Sequence, residues 1–491
     1  MHRLLSRTAI FIGSFAAATL TYAGQVPGGA AAPDILISHQ DRVYAAEQFS
    51  NTISVIDPEN NQLLGVIRLG DPTPQNFSPL YRGQLLVHGM GFSPDHRTLV
   101  VVSIGSNSVA FIDTTINSVK HITYVGRSPH EAAFTRNGRE VWVTVRGENY
   151  ISVLDAATYQ ETARIIVPNG PGMQIFSPDG EYGYICSSFT PETVIVSVAT
   201  HEIVGRVPQA SPFCPNIAAT PDGSQVWFTL KDVGKTQVFD AKPPFRLIRT
   251  LDTGPITNHV NFVRNAHGSF AYVTVGGLNE VQVYRTNDFA RIATIQVGKL
   301  PHGVWPSGDG TRVYVGLEND DRMIAIDTLS NTVIATVPIG QAPQTIAYVP
   351  GAVPEGPGTQ GLEPLGLAGQ AIHLTMYPAR GASGEANVHE GKPPTSVSLF
   401  DQGLVQVLEA SATGLEPKAN YVLALSGRAD GSGILEPLAS FMTNAAGAAI
   451  VNAVGPIRQV VSEASISPRR YLVIAAGVPP RIGGAVQVQG P

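Results

Sequence analysis

The chain repeats one pattern of four short strands roughly every 42 residues, and this repeat restricts the possible folds more than any other feature. The clearest copy runs from Leu300 to Gly340. Its alternating apolar and polar runs are separated by turns, with no helical pattern between them. Phe92, Phe134 and Phe176 mark one place in three successive copies and lie 42 residues apart. Four-stranded repeats of this length are typical of β-propellers, in which each repeat forms one blade.

The two ends of the repeat region predict seven blades and a closed ring. Six complete copies run from His88 to Gly340. Three strands starting at Arg42 precede them, and one strand from Gln344 to Val349 follows. These four strands together make a seventh blade, which removes the exposed edges that an open array of sheets would have. We therefore predict an all-β chain with a seven-bladed β-propeller over residues 39–350, closed by N-terminal strands and a C-terminal strand.

Several motifs within the repeat point to a known family. The Pro-His-Gly opening at residues 301–303 is followed by Val-Tyr-Val at 313–315 and by Val-Pro-Ile-Gly at 337–340. The stretch 271–276 reads Ala-Tyr-Val-Thr-Val-Gly. These motifs resemble the YVTN-repeat β-propellers, over about residues 40–350. The resemblance implies the seven-bladed fold and an exported or surface protein, and it implies no particular activity.

The N-terminus has the pattern of an export signal. Arg3 and Arg7 precede an apolar run from Ala9 to Leu20, and a small-residue cleavage site ends at Ala23. The run is short for a membrane span, and no second apolar run of about twenty residues follows. We predict a signal peptide over residues 1–23, a Gly/Ala/Pro-rich leader over 24–38, and a periplasmic or secreted mature chain without a transmembrane span. An uncleaved anchor is the alternative.

Charge and composition argue against nucleic acid as a partner. The formal net charge is -6, and the sequence contains no run of lysine and arginine. Binding to nucleic acid requires a concentrated basic face. We expect instead a protein, glycan or small-molecule ligand on a propeller face.

The residues after the repeat predict a linker and a second domain. Residues 351–369 are rich in proline and glycine, which is typical of a linker. Alternating strands resume after it without the blade pattern. Residues 370–491 are therefore predicted to form a small β-sandwich, immunoglobulin-like in type.

One position at the start of each first strand recurs and, in a propeller, lies at one mouth of the central channel. We call it the channel position. It is occupied in chain order by His88, His130, Gly172, Pro215, Asn258, His302 and Gln344. His259 lies one residue out of register. Ring closure would bring these residues to a common axis, although Gly172 and Pro215 offer no side-chain ligand.

The channel histidines allow two kinds of chemistry. Neutral imidazole is a good ligand for transition metals, so a metal ion at the channel mouth is the candidate cofactor, and its identity stays open. Propeller lactonases use histidine and acidic groups near the channel. That resemblance makes Glu131 the candidate base and His130 or His302 the candidate acid. Strand alternation predicts that His130 and Glu131 point to opposite faces, so that only one of them faces the channel.

The chain has two cysteines, Cys186 and Cys214. An oxidising compartment allows them to form a disulfide between neighbouring blades, and two buried thiols or metal ligation are the alternatives.

These features favour a binding or interaction module in the periplasm or at the cell surface. The alternative is a metal-binding protein or a lactonase-like or lyase-like enzyme that uses the channel histidines. Whether the chain is an enzyme is left open, with the non-catalytic interpretation preferred.

Overall fold

The computed structural model describes residues 36–70, 85–366, 371–379, 395–401, 405–461 and 468–490. The predicted signal peptide, its cleavage site after Ala23 and most of the leader lie outside these residues. The described chain contains seven four-stranded antiparallel sheets and one eight-stranded sheet. The predicted all-β fold with a seven-bladed propeller is confirmed.

Each propeller blade is one four-stranded sheet, numbered here from the sheet that contains both ends of the repeat region. Blade 1 contains β28 (Pro343–Val349), β1 (Arg42–Glu47), β2 (Thr52–Asp57) and β3 (Gln62–Arg68). Blades 2 and 3 contain β4 (Val87–Phe92), β5 (Thr98–Ser103), β6 (Ser108–Asp113), β7 (Ser118–Tyr124), β8 (Pro129–Phe134), β9 (Glu140–Val145), β10 (Tyr150–Asp155) and β11 (Glu161–Ile166). Blades 4 and 5 contain β12 (Pro171–Phe176), β13 (Tyr182–Ser187), β14 (Glu192–Ser197), β15 (Ile203–Pro208), β16 (Ile217–Ala219), β17 (Gln225–Leu230), β18 (Lys235–Asp240) and β19 (Leu247–Asp252). Blades 6 and 7 contain β20 (Thr257–Asn265), β21 (Gly268–Val275), β22 (Glu280–Arg285), β23 (Arg291–Gln296), β24 (Pro301–Pro306), β25 (Arg312–Leu317), β26 (Arg322–Asp327) and β27 (Thr332–Pro338).

The ring closes through blade 1, as the strand count predicts. β28 pairs antiparallel with β1, which joins the end of the repeat region to its beginning. The first strand of each blade contacts the first strands of both neighbours, and together they surround the channel. The outermost strands are largely exposed, whereas the inner three strands are almost continuously buried. This gradient arises because each blade packs both faces of its inner strands against neighbouring blades.

Apolar side chains fill the spaces between blades. Trp142 of blade 3 is fully buried and meets Phe176 of blade 4 edge-on, with ring centroids 5.0 Å apart. Trp227 of blade 5 makes the same kind of contact with Phe262 of blade 6 at 5.8 Å. Large aromatic rings thus occupy equivalent places between successive sheets and hold the blades at a fixed angle.

The C-terminal domain differs from the predicted sandwich. Its strands form one nearly closed sheet rather than two facing sheets, in the order β33-β32-β35-β36-β29-β30-β31-β34, and the edge strands β33 and β34 contact each other. The members are β29 (Ala371–Pro378), β30 (Thr395–Asp401), β31 (Gln406–Ala412), β32 (Asn420–Ser426), β33 (Leu435–Met442), β34 (Ala449–Gly455), β35 (Tyr471–Val478) and β36 (Arg481–Gln489), with a short helix α1 (Arg458–Val461). Closing the sheet on one apolar interior buries the same strand faces that a sandwich would. Strand alternation is equal in both cases, so sequence pattern does not distinguish them.

The predicted linker is held against the propeller over its described part, up to residue 366. Ala352 and Val353 are buried in the apolar core of blades 1 and 2. The Val66 backbone exchanges hydrogen bonds with the Glu363 backbone, and the Asn117 amide donates to the Gly358 carbonyl at 2.9 Å. A segment rich in proline and glycine is expected to be flexible, but these contacts fix it along the edge of the ring.

Helices make up little of the described chain, and none of those present has the length and apolar character needed to cross a membrane.

Candidate functional site

Four histidines meet at one end of the channel. The His88 and His130 ring centroids are 4.2 Å apart, those of His259 and His302 are 4.6 Å apart, and those of His88 and His302 are 6.3 Å apart. All four residues are at most 6% exposed. The structure therefore brings together the four histidines that the sequence singled out, including His259, which lies out of register.

A β-bulge lies at the channel position in every blade except blade 5, whose first strand is short. The pairing of β8 with β9 shifts between Pro129 and Glu131, and the other first strands shift at the equivalent place. A bulge inserts one extra residue and re-aims the side chains beside it. The bulge interrupts simple alternation at this point, and that only one of His130 and Glu131 faces the channel stays a prediction. The His130 ring lies against His88, and Glu131 lines a small, partly open cavity of about 30 Å³ in the channel.

The four imidazoles are neutral near physiological pH. Burial, together with the positive charges of Arg146 and Lys231, lowers the pKa of His88 to about 3. Burial also lowers the pKa of His259 to about 3, and those of His130 and His302 lie well below the ordinary value for the same reason. Desolvation disfavours the charged form, and four adjacent imidazoles oppose each other's protonation.

Several ring nitrogens lack a hydrogen-bond partner. His302 Nδ1 donates to the Gln344 carbonyl at 2.7 Å, so the lone pair of this ring is on Nε2. His88 Nδ1, His130 Nδ1 and His259 Nε2 are buried without a partner in the described chain. Buried polar atoms are normally satisfied, so a group of unsatisfied ones at one place indicates a ligand or ordered water.

The remaining channel positions join blades to each other. Asn258 Nδ2 donates to the Pro301 carbonyl at 2.8 Å, and Gln344 Nε2 donates to Glu318 Oε1 at 2.8 Å. At Gly172, an added Cβ would lie 2.6 Å from Ser188 Oγ of the same blade and 3.3 Å from the Cys214 carbonyl oxygen before blade 5, so little room remains for a side chain. Pro215 precedes β16 and follows Cys214.

A second ring of residues surrounds the mouth, one residue past each second strand, and sequence analysis missed it. We call this place the mouth position. In all seven blades the backbone amide of the residue at this position donates to the backbone carbonyl of the residue two places before the channel position. The seven residues at the mouth position are Gln48, Ile104, Arg146, Ser188, Lys231, Gly276 and Glu318. Aligning the copies at the end of the second strand, as well as at the start of the first, would have revealed it.

Two cations of the mouth position rest on aromatic rings. The Arg146 guanidinium lies 5.3 Å from the Phe213 ring centroid and 5.5 Å from that of Phe189, and the Lys231 ammonium lies 5.8 Å from that of Phe213. Phe189 is 57% exposed. Neither cation forms an ion pair within the described chain, and Arg146 Nε is buried without a partner. Burial lowers the pKa of both groups.

The C-terminal domain lies over one side of the same mouth. Phe400 stacks on Phe49 of blade 1, with ring centroids 4.4 Å apart. Asn319 of blade 7 donates to Ser396 Oγ at 3.0 Å, and Ala448 packs on Ile256 beside blade 6. A cleft of about 660 Å³ remains between the two domains, and its walls include Phe213, Lys231, Ile256, Lys418, Met442 and Ile450. The cleft thus shares Phe213 and Lys231 with the mouth above the histidines.

Two further predictions concern metal and disulfide chemistry. Within the ranges that the structure describes, no group of three or more His, Cys, Asp or Glu residues is arranged to hold a metal ion. Cys186 and Cys214 form a disulfide between β13 of blade 4 and the segment before β16 of blade 5, with Cα atoms 6.0 Å apart.

Comparisons with known proteins find distant similarities. No protein-family model matches it. Protein NirF of Stutzerimonas stutzeri is 25% identical over 118 residues, and Protein NirF of Pseudomonas aeruginosa is 25% identical over 127 residues. These matches cover 24% and 26% of this chain and 30% and 31% of the relatives, so the chain spans about a third of the length of the curated relatives it matches. A functionally unknown protein from Desulfotomaculum acetoxidans has a similar structure, with a TM-score of 0.52 and 15% identity over 62% of this chain and 98% of that protein. That likeness extends to the fold alone.

Proposed function

We propose that this protein is a binding propeller that holds a small anionic molecule at the channel mouth, between the four histidines and the C-terminal domain. The observation that carries the proposal is the pair of cations, Arg146 and Lys231, which stand beside the channel and form no ion pair within the described chain, although Glu318, Glu409 and Asp232 act on Lys231 from a greater distance. An unpaired, partly buried cation is costly, and an anionic ligand would compensate for it.

The surroundings of the two cations support a ligand with an apolar or aromatic body. Phe213 and the exposed ring of Phe189 offer flat apolar surface beside the cations, and the cleft continues along Ile256 and Ile450. Pockets of this kind bind the body of a ligand by apolar contact and orient it by a few polar groups. The neutral ring nitrogens of the channel histidines are available to accept or donate hydrogen bonds at its inner end.

A binding titration with the fluorescent aromatic sulfonate 8-anilinonaphthalene-1-sulfonate tests the proposal. Replacing Arg146 and Lys231 together by alanine should weaken binding at least tenfold. The matched control is the double variant Arg164→Ala/Arg206→Ala, which removes two ion-paired cations from outermost strands and should bind as the wild type does. Equal affinity in all three proteins would contradict the proposal.

A metal-binding role is the second candidate, and the three unpaired ring nitrogens favour it. Deprotonated imidazoles are what a transition metal requires, but the rings would have to turn to converge on one ion. Elemental analysis of protein purified without chelators checks this role. Near-stoichiometric metal that disappears in the variant His88→Ala/His302→Ala would establish it, whereas metal-free wild type would exclude it.

We further propose that the protein acts outside the cytoplasm. The N-terminal residues 1–23 and the disulfide between Cys186 and Cys214 support export to an oxidising compartment. Membership of the YVTN-repeat family stays a prediction from the repeat motifs. Mass spectrometry of the mature chain would test the export proposal, which predicts that it begins at Gly24.

A further inference from the structure

Two buried carboxyl groups face each other across the boundary between the domains. Glu318 holds the mouth position of blade 7 and is 5% exposed, and Glu409 lies on β31 of the C-terminal domain and is 4% exposed. The two side chains interact across this boundary: Glu409 pairs with Ser398 in the sheet, and Ser398 Oγ donates to Asn319 Oδ1, next to Glu318, at 3.0 Å. Glu318 Oε2 and Glu409 Oε1 are both buried without a donor. Two carboxylates cannot hydrogen bond to each other unless one of them carries a proton.

The other charged groups around the pair do not supply a full counter-charge. Lys231 acts on both carboxyl groups from blade 5, without an ion pair to either. Asp321, on the hairpin that carries Glu318, contacts His373 Nε2 of β29 at 3.1 Å and adds negative charge. Asp232, next to Lys231, is the remaining nearby carboxylate. Gln344 Nε2 donates to Glu318 Oε1 and is neutral.

The pair is connected to the proposed binding site on both sides. The side-chain amide of Gln344 donates a hydrogen bond to Glu318, and the backbone carbonyl of Gln344 accepts one from His302. Gln344 therefore joins the domain interface to the channel histidines. Glu318 and Lys231 occupy the same ring of mouth positions. A change in the docking of β31 on Glu318 therefore alters access to the mouth.

We infer that Glu318 and Glu409 form a proton-dependent latch, in which one shared proton keeps the C-terminal domain docked over the channel mouth and its loss releases that domain to open the site. The latch itself does not depend on the proposed function. Only the role of the site that it covers, the binding of an anionic ligand, rests on that proposal.

The direction of the pH effect follows from the docked and undocked states. Burial raises the pKa of both carboxyl groups in the docked state, and the neighbouring negative charge raises that of Glu409 further. In the undocked state both are solvated, with pKa values of about 4.3. Docking is therefore fully favoured below about pH 4.3 and weakens as pH rises towards the docked pKa. One proton changes the docking equilibrium up to tenfold per pH unit in that window.

Hydrogen–deuterium exchange of the full chain at pH 5 and pH 8, with times corrected for intrinsic rates, tests the latch. Peptides covering β31 and residues 318–321 should lose at least tenfold in protection at pH 8. In Glu409→Gln an amide donor replaces the shared proton, and the loss should fall below threefold. Glu318→Gln places the amide donor on the propeller instead of the C-terminal domain, and its loss of protection should also fall below threefold. The second variant keeps the test valid if the first one misfolds. The control Glu436→Gln, which removes an exposed carboxylate paired with Arg470, should behave as the wild type does.

Protection that does not change with pH in the wild type would overturn the latch. So would a full pH-dependent loss in both glutamine variants. Exchange is measured without ligand, so this outcome is separate from the titration of Arg146 and Lys231. A protein that binds the aromatic sulfonate but shows pH-independent exchange would retain the site and lack the latch.

Discussion

At the scale of single residues, the channel depends on how closely neighbouring first strands approach each other. Gly89 follows the channel histidine of blade 2, and a Cβ built on it would lie 2.2 Å from the His130 carbonyl oxygen and 2.7 Å from Glu131 Oε2. The glycine after the channel histidine thus has a steric reason. It lets the backbone of the next blade come near enough for the histidine rings to meet.

Replacing Gly89 by alanine should destabilise the propeller by about 2 kcal/mol, because the added methyl group forces backbone atoms apart. The free energy of unfolding, measured by chemical denaturation, checks this. Gly484→Ala on β36 is the control, since its Cβ would meet no atom within 4 Å, and it should change stability by less than about 1 kcal/mol. Equal effects of the two substitutions would contradict the steric account.

The channel histidines should stay neutral at every pH between 5 and 8. Ring nitrogen chemical shifts of His88 and His259 are expected to be constant in this range, because burial lowers their pKa values to about 3. The exposed His39 should titrate, since its hydrogen bond to Asp57 raises its pKa. The four histidines take up protons in the unfolded chain below about pH 6.5 but not in the folded one. Stability should therefore fall as pH drops below that value, by about 1 kcal/mol per histidine and pH unit.

At the scale of strands, threonines on the second strands link successive blades. Thr274 Oγ1 accepts from the His259 amide at 2.8 Å and donates to the His302 carbonyl at 2.7 Å. Thr144 Oγ1 bonds the Glu131 amide and the Gly172 carbonyl in the same way. Each threonine thus fixes the bulge of its own blade and the channel position of the next. This gives a physical reason for the threonine at the fourth place of the stretch Ala271–Val275.

Replacing Thr274 by valine keeps the shape of the side chain and removes both hydrogen bonds. It should cost roughly 2 kcal/mol or more, because a buried amide and carbonyl lose their partner. It should also move the ring resonances of His259 and His302. Thr294→Val on the exposed strand β23 serves as the reference and should change stability by less than about 0.5 kcal/mol. Unchanged histidine resonances in Thr274→Val would count against the coupling.

Much of the fold follows from the sequence because strand alternation and the repeat are local signals. The seven blades and the closure through β1 and β28 were predictable from the spacing alone, and the recurrence of histidine at the start of the first strand pointed to the channel. The bulges were not predictable, because an extra residue leaves the composition of a strand unchanged. Consequently strand alternation alone does not establish the directions of His130 and Glu131. Arg146 and Lys231 escaped notice because a single charged residue after a strand is typical of any exposed turn.

At the scale of the whole molecule, the position of the C-terminal domain determines how the channel is used. The sequence predicted a separate β-domain but not its location, because contacts such as Phe49 on Phe400 and Asn319 on Ser396 join residues far apart in the chain. The domain covers the mouth beside blades 1, 6 and 7. The side with Arg146 and Phe189 has no such contact among the residues that the structure describes. A ligand is therefore expected to enter from that side and to lie against both domains.

The most direct test of the binding site is a titration of protein labelled with ¹⁵N-histidine, followed through the ring nitrogen resonances as 8-anilinonaphthalene-1-sulfonate is added. We predict that the ring resonances of the four channel histidines, His88, His130, His259 and His302, shift with one common affinity. The resonances of the exposed His39 and His267 should stay in place. The channel shifts should disappear in the variant Arg146→Ala/Lys231→Ala. Shifts confined to the exposed histidines, or channel shifts that persist in that variant, would contradict a ligand site at the channel mouth.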